Sequence, residues 1–435
     1  MEAGIIHYDI PLWAIIPFVL MLLAIAICPL AFPAWWEKNK NKLLVSLLLG
    51  VPTAIWMIAQ GLSSNLADSL IFDYLPFIIL LGSLFTITGG IHLRGDIEAK
   101  PAHNLIFLAL GAVLASFMGT TGAAMLLIRP LIKTISERQY KTHTILFFIA
   151  IVANCGGLLT PLGDPPLFLL YLRGAPFTWF FNLWKEWAFV NGLLLLIYFL
   201  VDTYYYKKES PENIKFDKAN KEPLRLEGKL NFLALIGIVL SVAFLNPHYI
   251  PAMEGNEYMS FIREGAMLLC ALLSLYFTPK QVRKDNFFTW QPIIEVAFLF
   301  LGIFTTMAPA LLYLESNAAS FGLTQPWQFY YATGALSSFL DNAPTAISFY
   351  QLAYGLASAH QGTLVAGISE ELLAAISIGA VMFGSMTYIG NGPNFMVKSI
   401  AEENKIKLPS FFGYMFKFSL IVLLPVYIIS QLLFI

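Results

Sequence analysis

The sequence predicts an all-α polytopic membrane protein of about ten transmembrane helices and two re-entrant hairpins, arranged as an inverted repeat of two halves. Three observations carry that expectation. The 435 residues are 58% hydrophobic and only 12% charged, whereas a soluble domain is about a quarter charged. Apolar runs near the roughly 20 residues needed to cross a bilayer recur along the chain. Two stretches, 114–128 and 336–350, are apolar runs interrupted by a short polar break, Gly119-Thr120-Thr121-Gly122 in one and Asp341-Asn342-Ala343-Pro344 in the other. Backbone exposed at such a break is tolerated at membrane depth only where protein or a watery cavity covers it. Breaks in matching places of two halves point to a transport site.

Taken in order, the first apolar run is 11–32. The residues before it carry Glu2 and Asp9 but no Lys or Arg, so the run lacks the basic flank of a cleaved signal and is expected to be retained as a span. Further spans are expected at 42–61, 70–91, 144–172, 187–205, 230–246, 262–278, 292–312, 371–400 and 411–434. The segments 103–134 and 328–358 each hold two arms too short to cross alone, joined by a polar break. Both are read as re-entrant hairpins.

Loop charge fixes the expected orientation. Lys38, Lys40 and Lys42 follow the first span, and His92, Arg94 and Lys100 follow the third. Both groups belong inside, as do Arg129, Lys133, Arg138 and Lys141 after the first hairpin. That pattern holds only if the hairpin does not cross. The loops 62–69, 247–261 (with Glu254 and Glu257), 313–327 and 359–370 lack Lys and Arg and belong outside. Arg173 and Lys185 are the exceptions, on an expected outside loop. Both termini are expected outside, in a cytoplasmic (inner) membrane. The halves are 1–205 and 230–435, joined by a charged solvated linker, 206–229, on the inner face.

A second pair of breaks follows the hairpins. Gly163-Asp164-Pro165-Pro166 lies in the span 144–172, and Gly390-Asn391-Gly392-Pro393 in the span 371–400; Thr160 aligns with Thr387. Gly and Pro there end one half-helix and suit the first turn of the next. Four broken elements are thus expected to meet near mid-membrane. Half-helix N-termini favour anions, and unwound carbonyls favour Na⁺. A carboxylate at that depth is expensive and marks function, which singles out Asp341 and Asp164. Each is also a helix cap in the plainer reading. Asn342, Thr120, Thr121, Thr160, Thr387, Asn391 and Asn394 are the expected neutral liners. Arg263 and Glu264, at the start of a span, read as interfacial.

Other classes are excluded or disfavoured. A formal net charge of −1 and no basic stripe argue against nucleic acid. Cys28, Cys155 and Cys270 lie far apart in apolar runs and read as core residues. No phosphate-binding G-x-x-x-x-G-K-[ST] loop supports ATP-driven transport. No nucleophile–base pair or metal-ligand set marks an enzyme. No cofactor is expected beyond Na⁺ as a transported or coupling ion, and the expected partners are the lipid bilayer and a small ion or anion.

The segments Ser-Phe-Leu-Asp-Asn-Ala-Pro-Thr at 338–345 and Gly-Gly-Leu-Leu-Thr-Pro-Leu-Gly-Asp-Pro-Pro at 156–166 resemble those of the ion-transporter superfamily. It includes NhaD-type sodium–proton antiporters, arsenite permeases and citrate or dicarboxylate carriers. The resemblance implies a secondary transporter, often a homodimer, with a mobile part that moves against a scaffold. It places the family's hairpin Asp-Asn on Asp341 and Asn342, and its Gly-Asp-Pro-Pro acid on Asp164. The first hairpin departs from the pattern: Gly119-Thr120-Thr121-Gly122 stands where many members have Asp-Asn or Ser-Asn-Thr. The leading expectation is a Na⁺/H⁺ antiporter in which Asp341 and Asp164 hold Na⁺. The alternative is a sodium- or proton-coupled carrier of citrate, a dicarboxylate or arsenite.

Overall fold

A computed structural model of the chain describes residues 9–219, 221–253, 256–357 and 363–435. Glu2, Glu254, the last residue of the second expected hairpin at 358 and the loop start at 359–362 lie outside the described residues. The fold is all-α and polytopic. Among the described residues, nine helices are long and apolar enough to cross a membrane.

From Leu12 the chain runs α1 (Leu12–Ala31), α2 (Asn39–Ala59) and α3 (Ser63–Thr88), the last with a π-helical stretch at Ser69–Tyr74. A short strand β1 (His92–Asp96) precedes α4 (Pro101–Met118) and α5 (Thr120–Thr134). These two pack together on either side of Gly119, whose φ of 80° is the left-handed value that glycine accepts without strain. At 18 residues α4 is long enough to cross by length, longer than the short arm expected. The reason is that Pro101, suited to the first turn of a helix, starts it two residues before the expected arm. Next come α6 (Thr142–Ile151), a 3₁₀ turn at Cys155–Leu159, α7 (Pro165–Leu172) and α8 (Phe177–Tyr206).

Beyond segment 206–229 the chain continues with further helices. It has α10 (Asn231–Phe244), α11 (Phe261–Phe277) and α12 (Gln291–Ser316), then α13 (Pro326–Ser337) and α14 (Asn342–Gly355). It continues with α15 (Glu370–Phe383), α16 (Gly392–Glu403) and α17 (Phe411–Phe434). α10 has only 14 residues, and the expected span 371–400 is divided between α15 and α16, so neither counts as a full-length spanning helix.

Segment 206–229, expected to be a solvated linker, is folded. It forms α9 (Pro211–Ala219) and β2 (Glu222–Glu227), which pairs antiparallel with β1. Asp217 accepts the Ala99 N–H, and Lys133 of α5 meets Glu222 at 2.6 Å. The polar residues of β1 gave no alternating strand pattern, so this pairing left no mark in the sequence.

Two helix pairs build the flanks: α12 along α2, and α11 along α3. A Cβ at Gly302 of α12 would stand 2.7 Å from Ser46 of α2. Small residues permit this close backbone approach, the usual device for packing helices in lipid. Against these flanks sits the body that carries the breaks, with α13 on α15, α14 on α7 and α16 on α5.

Candidate functional site

The four breaks meet at Asp164. Thr120, the first residue of α5, donates its hydroxyl to Asp164 Oδ1 at 2.8 Å. Asn391, just before α16, donates its amide to the same oxygen at 3.0 Å. Asn342, the first residue of α14, donates to Oδ2 at 2.5 Å. The carboxylate is 1% exposed, and each donor comes from a different break. All three donors are uncharged. Asn342 Oδ1, beside the carboxylate, is buried with no hydrogen-bond partner among the described residues.

Local sequence explains why Asp164 faces this centre. It occupies the N-cap position of α7, yet its side chain makes no cap hydrogen bond. Pro165 and Pro166 fill the next two positions and have no N–H to offer. The carboxylate is therefore free to turn toward the other three breaks. Asp341 behaves oppositely. Its Oδ1 accepts the Ala343 N–H at 3.1 Å and caps α14, and it is half-buried. Among the described residues, Asp341 and Asp164 share no hydrogen-bond partner.

The threonines divide in the same way. Thr160 donates its hydroxyl to the Ser116 carbonyl oxygen and accepts the Leu162 N–H. Thr387 donates to the Ser338 carbonyl oxygen at 2.5 Å and accepts from the N–H groups of Ile389 and Gly390. These two tie each unwound span to its neighbouring hairpin and face backbone, not Asp164. Thr121 lies beside Thr120 on the wall of a small cavity. Asn394 donates to the carbonyls of Gly384 and Thr387, at 2.8 and 2.9 Å, closing the second break on itself.

Backbone contacts are equally tight. The Thr120 N–H donates to the Gly163 carbonyl at 2.8 Å, docking the first hairpin tip on the first break. A Cβ at Gly163 would fall 2.0 Å from the Gly157 carbonyl oxygen, and one at Gly390 2.6 Å from that of Gly384. Both breaks fold back on themselves, and only glycine permits the approach.

One central residue gave no sequence signal beyond its position in the first break. Asn154 is fully buried; it donates to Asn394 Oδ1 at 2.7 Å and accepts from Asn391 at 3.2 Å. It joins the two broken spans. Ser116 is a second: its hydroxyl donates to the Gly156 carbonyl at 2.5 Å and accepts the Leu159 N–H.

Two cavities lie at the two ends of α7. A space of about 90 Å³ lies against Asp164, Thr120 and Thr121, walled by Leu84, Phe85, Phe168 and Val296. It is room for a few waters or a small hydrated ion. A vestibule of about 1010 Å³ opens where α7 ends, between Asp73, Arg173, Arg263, Glu315 and Gln351.

Broken helices meeting at one buried carboxylate, inside a polytopic all-α body, define a secondary transporter. Residues 7–435 match the family model described as "Putative citrate transport", and the chain belongs to that family. Part of the chain is also similar to "Inner membrane protein YbiR" of Escherichia coli (strain K12), 28% identical over 109 residues. That match covers 22% of this chain and 29% of the relative, so it spans under a third of that protein's length.

Proposed function

We propose that the protein exchanges Na⁺ for protons across an inner membrane, with Asp164 as the group that alternates between them. One observation supports this reading above the rest. Asp164 is buried, held by three uncharged donors, and lies beside the unpartnered Asn342 Oδ1. A carboxylate without a cationic partner at membrane depth calls for a proton or a cation. Oxygen atoms suit Na⁺: the Asp164 carboxylate, Asn342 Oδ1 and the hydroxyls of Thr120 and Thr121 would supply them. Asp341 would set the dipole and position of α14. The two halves would be inverted repeats that present this site alternately to the two faces, with both termini outside and two copies forming a dimer.

The test is reconstitution into proteoliposomes with an entrapped pH dye. Added Na⁺ should alkalinise the lumen, and Asp164→Asn should abolish the response while leaving the folded yield intact. Unchanged coupling in that variant would sink the assignment.

The family description favours a second reading, a carrier of citrate or a similar anion. Here the vestibule arginines would attract the anion, and half-helix N-termini at the breaks would hold it. Labelled citrate uptake in the same liposomes distinguishes it.

A further inference from the structure

α7 begins at the Asp164 site and ends in the vestibule, and its far end is gripped by polar contacts from three flanking elements. Arg173, the residue after the helix, pairs with Asp73 at 2.7 Å. Asp73 projects from the π-helical stretch Ser69–Tyr74 of α3. π-Helical bulges interrupt a helix at a cost and cluster at functional positions. Tyr171 donates its hydroxyl to the Val242 carbonyl of α10 at 2.8 Å. The same hydroxyl accepts from Arg263 Nη1 of α11 at 3.2 Å. The Arg263 guanidinium also lies over the rings of Tyr171 and Phe168, 5.3 and 6.0 Å from their centroids.

Arg263 and Glu264, which the sequence reads as interfacial, are 6% and 1% exposed. Glu264 Oε1 accepts Arg263 Nε at 2.8 Å. Glu264 therefore fixes the guanidinium against Tyr171. Across the vestibule, Gln351 of α14 donates to Glu315 of α12 at 2.6 Å. The break-bearing body thus meets its flanks through polar contacts at α7 and α14. Arg173, an exception to the loop-charge pattern, has its partner here.

We infer that Tyr171 and Arg173 are positioning residues of the Asp164 site, and that with Asp73 and Arg263 they form a latch holding α7 in the vestibule-open arrangement. The inference rests on the alternating-access reading but not on which substrate is carried. The eight-residue helix α7 is a rod of about 12 Å. Moving Asp164 toward the opposite face must drag Tyr171 and Arg173 away from Asp73, Val242 and Arg263. The latch contacts are made in one arrangement and lost in the other, which is the differential interaction a two-state device requires.

Two measurements test it. In the first, Asp73→Cys and Arg173→Cys are combined and joined by a short bifunctional methanethiosulfonate. Both Na⁺-driven proton movement and citrate uptake are measured, so that whichever the parent performs is read. Cross-linking should cut it below a tenth, reducing agent should restore it, and the reagent should leave each single-cysteine variant at its own untreated rate. Retention of more than half the transport after cross-linking overturns the latch.

The second measurement needs no substrate. A cysteine replaces Ala243, half-buried on the vestibule wall, in a chain with Cys28→Ser and Cys270→Ser; Cys155 is buried and stays. Labelling by an impermeant maleimide should slow about 10-fold in Tyr171→Phe/Arg173→Gln, since charge-assisted and ionic contacts are both lost. The charge exchange Asp73→Arg/Arg173→Asp should keep labelling within two-fold of the parent. Unchanged labelling in Tyr171→Phe/Arg173→Gln overturns the latch. A parent that transports neither probe yet shows the slowed labelling would count against the substrate readings alone.

Discussion

Thr120→Val is the sharpest test of the site, because it removes one hydroxyl and almost no volume. In the structure that hydroxyl donates to Asp164 Oδ1 at 2.8 Å, and Thr120 is 1% exposed. A hydrogen bond to a charged acceptor is worth about 1.5–3 kcal/mol. The ionised carboxylate, which is the form that holds a cation, loses that support. At about 1.4 kcal/mol per tenfold, the half-saturating Na⁺ concentration should rise about 10- to 150-fold. Thr160→Val is the matched control. Its hydroxyl contacts the Ser116 carbonyl and the Leu162 N–H rather than the carboxylate. It should lower thermal stability, through an orphaned backbone group at about 1–3 kcal/mol, and leave half-saturation within about three-fold. The assay is Na⁺-driven pH change in proteoliposomes, with detergent thermostability measured in parallel. A folded Thr120→Val protein with half-saturation within two-fold of the parent would refute the placement of Thr120 on a working carboxylate.

Three further outcomes follow from named contacts. Gly163→Ala places a Cβ 2.0 Å from the Gly157 carbonyl oxygen and should abolish folded protein, whereas Gly392→Ala meets nothing within 4 Å and should be tolerated; size-exclusion profiles of the two decide this. Asn154→Ala removes the bridge between Asn391 and Asn394 and should lower stability by about 1–3 kcal/mol, read as a melting shift of several degrees. Asp96, at the end of β1, is lifted by burial, and then by the Glu137 charge, from 3.8 to about 6, with Asp217, Glu222 and Lys133 also facing it. A carboxyl that binds its proton more tightly folded than unfolded favours the fold at low pH. Its contribution is full below about pH 4 and fades as pH rises through about 6. Asp96→Asn should therefore raise the melting temperature at pH 8 but not at pH 4, and equal shifts at both would contradict it.

The helical body was legible because spanning segments must be long and apolar, a constraint that leaves its record directly in composition. Gly119, Gly163, Asp341 and Asn391 were legible as breaks for the same reason: polar and helix-ending residues stand out in apolar runs. Which of them touch was not legible. Thr160 and Thr120 look alike in sequence, yet one bonds backbone and the other bonds Asp164. Asp341 and Asp164 are both acids at helix starts; only the two prolines after Asp164 hinted that its carboxylate would not cap. Asn154 reaches partners 237 and 240 residues away, a separation that no local pattern encodes. The pairing of β1 with β2 likewise depends on long-range contact between two short polar strands.

The two substrate readings place the same demand on Asp164, and that demand separates them. An anion seated about 4 Å from an ionised carboxylate meets about 4 kcal/mol of repulsion per charge at an effective dielectric near 20. Thr120, Asn342 and Asn391 offset none of it by charge, being neutral. An anion carrier built on this site must therefore protonate Asp164 before loading, so anion and proton travel together. A cation carrier must deprotonate it, so cation and proton travel in opposite directions. Citrate entry would then acidify the liposome lumen, and Na⁺ entry would alkalinise it. The sign of one dye signal distinguishes the chemistries. If either flux retained its proton coupling in Asp164→Asn, the carboxylate at which the four breaks meet would be structural, and the transported proton would have to bind elsewhere.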